Sequence, residues 1–205
     1  MSSDTAHLAL MLDAPLMSFG HASRFQRRTT ALHPTRSALT GMICAAAGAA
    51  KGSAAEAEWL QRLDPRQVRL TVLAVPRQPE GCPEPLPILR LEDFHTTGGG
   101  YDRRTQPHCI PRKASGGPCG NPTVSRRQYL MDARFGVMLC GPRHALETVA
   151  AVLRDPRWGI WFGRKNCLPA ALVLRGLHET EAAALEALGL AGQPLAAFDV
   201  VSEAD

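Results

Sequence analysis

Between Pro76 and Pro122 the chain carries nine of its 16 prolines, together with the runs Gly98–Gly100 and Gly116–Gly117. Proline inside a helix removes a hydrogen bond and clashes with the preceding turn, so no core helix can pass through this stretch. A connection this long is uncommon in a compact domain unless it is used for something. It therefore reads as an arm, an extended hairpin projecting from the fold. The rest of the chain has to build its core from the two halves on either side.

Each half reads as β-α-β. In the first, His7–Leu12 (HLALML) has the length and composition of a buried strand. A polar, Arg-rich loop runs on to His33. Thr35 or Ser37 can cap a helix over Ala38–Ala50, whose Gly41, Ala45 and Gly48 would let another backbone approach closely. A second helix over Ala54–Leu63 ends at Asp64-Pro65, and Val68–Val75 alternates as a strand. In the second half, order resumes at Tyr129, with a strand over Asp132–Cys140 and a helix over Arg143–Leu153. A loop with Trp158 and Trp161 follows, then a strand at Ala171–Leu174, a helix at Glu179–Leu188 and a last strand near Leu195–Val201. This order predicts an α+β, ferredoxin-like (split βαβ, RRM-like) domain over residues 1–205 with 76–127 as the inserted arm.

Charge narrows the partners by placement more than by amount. The net charge of +4 is mild, and 20 of the 23 basic residues are arginines. Most of that excess of arginine over lysine reads as the bias a GC-rich genome produces throughout a chain. Arg24, Arg27, Arg28 and Arg36, however, lie in a stretch without an acid between Asp13 and Glu56. Arg90, Arg103, Arg104, Arg112, Lys113, Arg126 and Arg127 form a second group, whereas acids collect near the C-terminus. A one-sided field of this kind suits nucleic acid better than a small substrate. No apolar run approaches the ~18 residues of a membrane span. The start, Met1-Ser2-Ser3-Asp4-Thr5, lacks a secretory pattern, so a cytoplasmic location is expected. The six cysteines then read as reduced thiols, with Cys44 and Cys140 buried in apolar runs. Zinc ligands drawn from His108, Cys109 and Cys119 with His95 or Cys82 lack the usual CxxC spacing, and no metal or cofactor is expected.

Motifs for hydrolytic or nucleotide chemistry are missing: there is no GxSxG elbow, no GxxxxGK[ST] loop and no HExxH pair. Metal-independent RNA cleavage would need only a base and a cation, for which His21, His95, His108, Tyr129 and Lys113 are the available types. A binding surface draws on more residues. Phe19, His21, Arg24, Phe25, Arg27 and Arg28 interleave flat side chains with cations, as unpaired bases and their phosphates require. A helix entered at Thr35-Arg36-Ser37 offers amides to an anion, and Arg164 and Lys165 offer further phosphate contacts.

Several blocks resemble the CasD family of CRISPR-associated subunits of the Cascade (type I) surveillance complex. They are Leu16-Met17-Ser18-Phe19-Gly20, His33-Pro34-Thr35-Arg36-Ser37-Ala38-Leu39-Thr40-Gly41, Asp93-Phe94-His95-Thr96, Arg127-Gln128-Tyr129-Leu130-Met131-Asp132-Ala133 and Phe162-Gly163-Arg164-Lys165-Asn166-Cys167. The resemblance implies a ferredoxin-like domain whose inserted β-hairpin, the thumb, folds over guide RNA. It implies a non-catalytic subunit that caps the guide-RNA filament and binds the 5′ handle of the CRISPR RNA. Backbone subunits and the large subunit would be its partners, with target DNA nearby. On matching blocks it makes Thr35, Arg36, Ser37, Arg127, Tyr129 and Arg164 handle-binding candidates. Arg103, Arg104, Arg112 and Arg126 join them by position in the presumed thumb. The stretch Cys109–Gly120 departs from the family pattern. The alternatives are a metal-independent endoribonuclease that processes precursor CRISPR RNA, and a general RNA-binding module.

Overall fold

A computed structural model describes residues 4–20, 26–98, 101–102, 104–110, 112–113, 115–119, 122–192 and 200–202. The elements are β1 (Thr5–Asp13), β2 (Leu16–Met17), β3 (Arg27–Arg28), α1 (Arg36–Ala46), α2 (Ala54–Arg62), β4 (Arg69–Ala74), β5 (Leu89–Thr97), β6 (Thr123–Met131), β7 (Arg134–Pro142), α3 (Arg143–Arg154), β8 (Leu174–His178), α4 (Glu181–Ala187) and β9 (Val200–Ser202).

The first sheet has the order β8-β1-β7-β4-β9, and all its pairs are antiparallel. Two crossovers interlock within it. Strands β1 and β4 flank β7 and are joined through α1 and α2; β7 and β8 flank β1 and are joined through α3. Strand β1 is apolar without a break from Leu8 to Leu12 because both its faces are covered there. Leu8, Leu10 and Leu12 pack with Leu39 and Ile43 of α1 and with Leu146 and Val149 of α3. Ala9 and Met11 pack on the other side with Ala184, Leu185 and Leu188.

Helix α1 starts at Arg36 because Thr35 caps it: its hydroxyl accepts from the Ala38 N–H at 3.2 Å. It ends four residues short of the expected Ala50. Gly48 takes φ +70° and lies against the Arg157 side chain, while Gly41 faces open space, not another backbone. The strand expected at Ala171–Leu174 is instead β8, which starts three residues later at Leu174 and runs to His178. Leu172 is 82% exposed, and the register against β1 slips between Ala9 and Leu10, which pair with Gly176 and Leu174. The final strand is described only at Val200–Ser202; residues 195–199 of that expectation lie outside the described residues.

Within the arm, β5 and β6 pair antiparallel from Leu89↔Met131 to Thr97↔Thr123. Order therefore returns at Thr123, earlier than the expected Tyr129. The other edge of β6 pairs with β2 at Leu130 and Met131 and, in parallel, with β3 at Arg126 and Arg127. At the root of the arm, Arg77 pairs with the Asp13 carboxylate and donates to the Asp132 carbonyl at 2.7 Å.

A second tie positions the segment after Trp161. The Ser18 N–H donates to the Phe162 carbonyl at 3.1 Å, and the Ser18 hydroxyl donates to the Gln128 carbonyl of β6 at 3.0 Å. Gly163 turns there with φ +92°, and a Cβ on it would stand 1.7 Å from the Ser18 carbonyl oxygen. Phe162 and Cys167 are buried at the two ends of this turn, bridged by the Phe162 N–H to Cys167 carbonyl bond of 2.8 Å. Burial pushes the Cys167 thiol above its ordinary value, so it stays a neutral packing group.

Arg36 is held inside the fold. Its guanidinium donates to the Leu63 carbonyl at 2.9 Å and the Val68 carbonyl at 2.7 Å, stapling α1 to the turn before β4. Arg36→Met keeps much of the stem but leaves those acceptors without donors. A loss of about 2 kcal/mol is expected, read as a fall in Tm of roughly 4–8 °C for a domain of this size; an unchanged Tm would show the staple to be dispensable. Gly163→Ala combines a left-handed φ with a backbone collision. It should destabilise by on the order of 3 kcal/mol, and a variant melting like the parent would refute the close approach to Ser18.

Candidate nucleic-acid interface

Alternation along a strand sends successive side chains to opposite faces. On β6 this sends Arg127 and Tyr129 to one face and Arg126 to the other. In register, Arg28 of β3 lies beside Arg127, and Asp93 of β5 lies on its far side. The turn built on Gly163 brings Arg164, Lys165 and Asn166 over this face. Together they line a cleft of about 670 Å³, bounded by Arg28, Asp93, Arg127, Tyr129, Trp161 and Arg164, with His95, Lys165 and Asn166 at its margins.

Among the described residues the cleft carries four cations, Arg28, Arg127, Arg164 and Lys165, against the single carboxylate of Asp93. Like charges on neighbouring strand positions are unfavourable, so an arrangement of this sign favours an anion between them. Arg164 is the most tightly placed of the four. Its guanidinium carbon lies 4.5 Å from the Tyr129 ring centroid, and one amino group donates to the Arg28 carbonyl at 3.2 Å. The other, Nη1, is buried without a hydrogen-bond partner among the described residues, and a buried donor of this kind is costly unless something occupies it. The Arg127 Nε donates to the Ser125 hydroxyl at 3.1 Å, which fixes the stem while the group faces the cleft. Arg28 and Lys165 are exposed.

Several expected site residues do other work. Phe19 is 2% exposed and meets Phe135 edge-on at 6.2 Å between ring centroids, so it is a core residue that cannot stack on a base. Arg36 is committed to two backbone carbonyls and drops out as a phosphate contact. Thr35 spends its hydroxyl on the helix cap. Tyr129 is 3% exposed; its ring supports Arg164, and its hydroxyl accepts from the Asn166 amide at 3.2 Å. Ser37 is exposed at the first turn of α1, in a shallow groove shared with Trp161 and Gly163. Arg27 and Arg126 face away from the cleft with Phe94. Arg104 and Arg112 sit on the connection between β5 and β6 and do not line the cleft. His21, Arg24 and Arg103 lie outside the described residues.

Trp161 and Asn166 were missed by reading the sequence for charge. Their signal was proximity to the Gly163 turn, which brings both to the cleft wall. Of the candidates for RNA cleavage, His95 and Tyr129 share the cleft, whereas His108 and Lys113 do not line it. Cys44 is buried, but Cys140 is only partly so, with its sulfur 4.0 Å from His7 Nε2. Among the described residues no three His, Cys, Asp or Glu side chains are grouped to hold a metal ion, and no helix is long and apolar enough to cross a membrane.

The chain is 27% identical over 167 residues to the CRISPR system Cascade subunit CasD of Escherichia coli (strain K12), an alignment covering 79% of this chain and 66% of that protein. It thus spans about two thirds of that curated relative's length. A chain in a solved CRISPR RNA-guided surveillance complex superimposes with a TM-score of 0.67 at 30% identity, over 89% of this chain and 66% of that one. A chain from a crystal structure of a Cas protein gives 0.52 at 25% identity, over 89% and 69%. A family model described as CRISPR-associated protein (Cas_Cas5) matches residues 7–202. The chain belongs to that CRISPR-associated family.

Proposed function

We propose that this protein is a non-catalytic Cascade-type subunit that binds the 5′ handle of CRISPR RNA and caps one end of the guide-RNA filament. The observation that carries the reading is the convergence of Arg28, Arg127, Arg164 and Lys165, from three separate chain segments, on one cleft. Their planar or compact cationic heads suit phosphates of an unpaired strand, and the half-buried Trp161 at the wall supplies a flat surface for a base. Likeness to a chain of a CRISPR RNA-guided surveillance complex supports the same assignment.

On this reading the strand order β8-β1-β7-β4 with its two interlocked crossovers is the split βαβ of a ferredoxin-like domain. The β5–β6 hairpin and its long connection form the thumb, placed to meet a backbone subunit of the filament. The large subunit docks near the handle, close to target DNA, and the assembly works in the cytoplasm. A second reading, cleavage of precursor RNA without metal, has one observation in its favour: His95 and Tyr129 share the cationic cleft. The Tyr129 hydroxyl is already held by Asn166 and its ring is buried, which favours binding over chemistry.

Replacing Arg28, Arg127 and Lys165 together by glutamine should weaken binding of repeat-derived RNA at least about tenfold. The log–log salt slope should shrink by about 2, since each phosphate contact on a single strand contributes roughly 0.7. Filter binding across a salt series measures both, and unchanged affinity and slope would remove the cleft from the RNA path. Incubating the purified protein with repeat RNA in EDTA should leave the RNA intact; cleavage at a defined position would overturn the non-catalytic assignment.

A further inference from the structure

The outer face of the β5–β6–β3 sheet presents a second cationic and aromatic surface. Arg27 and Arg126 are register partners, one step along the same strands from Arg28 and Arg127 and therefore on the opposite side. With Gln26, Phe94 and Val124 they line a depression of about 410 Å³. Phe94 is 62% exposed. The Arg126 guanidinium carbon lies 4.7 Å from its ring centroid, so one face of the ring is covered by a cation and the rest is open. Glu92 stands 3.8 Å from Arg126. An exposed aromatic ring backed by a guanidinium is the arrangement on which an unpaired base stacks.

We infer that the RNA strand held in the cleft continues around the β3 edge onto this outer face, where Phe94 stacks on a base and Arg27 and Arg126 receive phosphates. The inference rests on the RNA-binding reading above and extends it. The occupant follows from charge and continuity. Arg27 and Arg28 are consecutive residues of a two-residue edge strand, so a polyanion leaving the cleft past Arg28 meets Arg27 next. A flexible single strand can make that turn, whereas a duplex cannot bend over so short an edge.

A repeat-derived RNA trimmed stepwise from each end tests this on the full-length protein. With the parent protein, affinity should fall about tenfold at the step that removes the stacked nucleotide. In Phe94→Ala that step should disappear, while RNA already trimmed past it binds parent and variant alike. Phe94→Trp should restore the step, and Arg27→Gln should lower the salt slope for the longer RNA alone, by about 0.7. Phe94 is exposed, so these substitutions leave the core intact. A variant that binds every length as the parent does, or loses affinity equally for all, overturns the outer-face path. Unaltered RNA binding with lost copurification of a partner subunit would overturn it too, in favour of a protein-docking role. Failure of the parent to bind any length would instead refute the RNA-binding reading beneath it.

Discussion

Strand β6 is the constraint on which the arm and the cleft depend. It is paired along its whole length with β5 on one edge and with β2 and β3 on the other. A one-residue slip in such a strand would exchange its two faces. The register therefore decides that Arg127 meets Arg28 in the cleft while Arg126 meets Phe94 outside it. Tyr129 and Leu130, buried on opposite faces at this end of β6, hold that register, because a slip would put each side chain into the packing site of the other.

The cleft's other wall depends on backbone geometry. The turn at Gly163 fits only because no Cβ stands between it and the Ser18 carbonyl. Ser18 in turn bonds to β6 through its hydroxyl. A short chain of hydrogen bonds thus runs from the strand carrying Arg127 to the turn carrying Arg164. Arg164 completes the closure by resting on Tyr129 and bonding to Arg28. Arg127 and Arg164 are held by these contacts and by the Ser125 hydroxyl, while Arg28 and Lys165 stay exposed, a pattern suited to receiving an anion.

Most secondary elements were legible because their local signals agreed. The apolar run at His7–Leu12, the Thr35 cap and the Leu146, Val149, Ala150 and Leu153 spacing of α3 each match the structure to within a few residues. β8 was misplaced because its partly buried edge strand lacks alternation, while the apolar residues just before it drew attention to a loop. The candidate site was legible in part. Arginine density located Arg28 and Arg127, and the block Phe162–Cys167 supplied Arg164, but the density criterion also drew in Arg36, whose guanidinium satisfies backbone carbonyls. Phe19 was misread because a ring in an Arg-rich loop and a ring in the core have the same sequence context.

Residue type and spacing alone decided where most helices and strands begin, that no core helix passes through 76–122 and the kind of chemistry the loops can offer, since prolines, caps and apolar periods act over a few neighbours. Tertiary structure decided which guanidinium faces solvent and which is tied to a carbonyl. It also decided which of two consecutive arginines enters the cleft. Those outcomes hang on pairings between residues 99 or more positions apart, such as Arg28 with Arg127 and Arg164 with Arg28, where order is set by strand register and not by local preference.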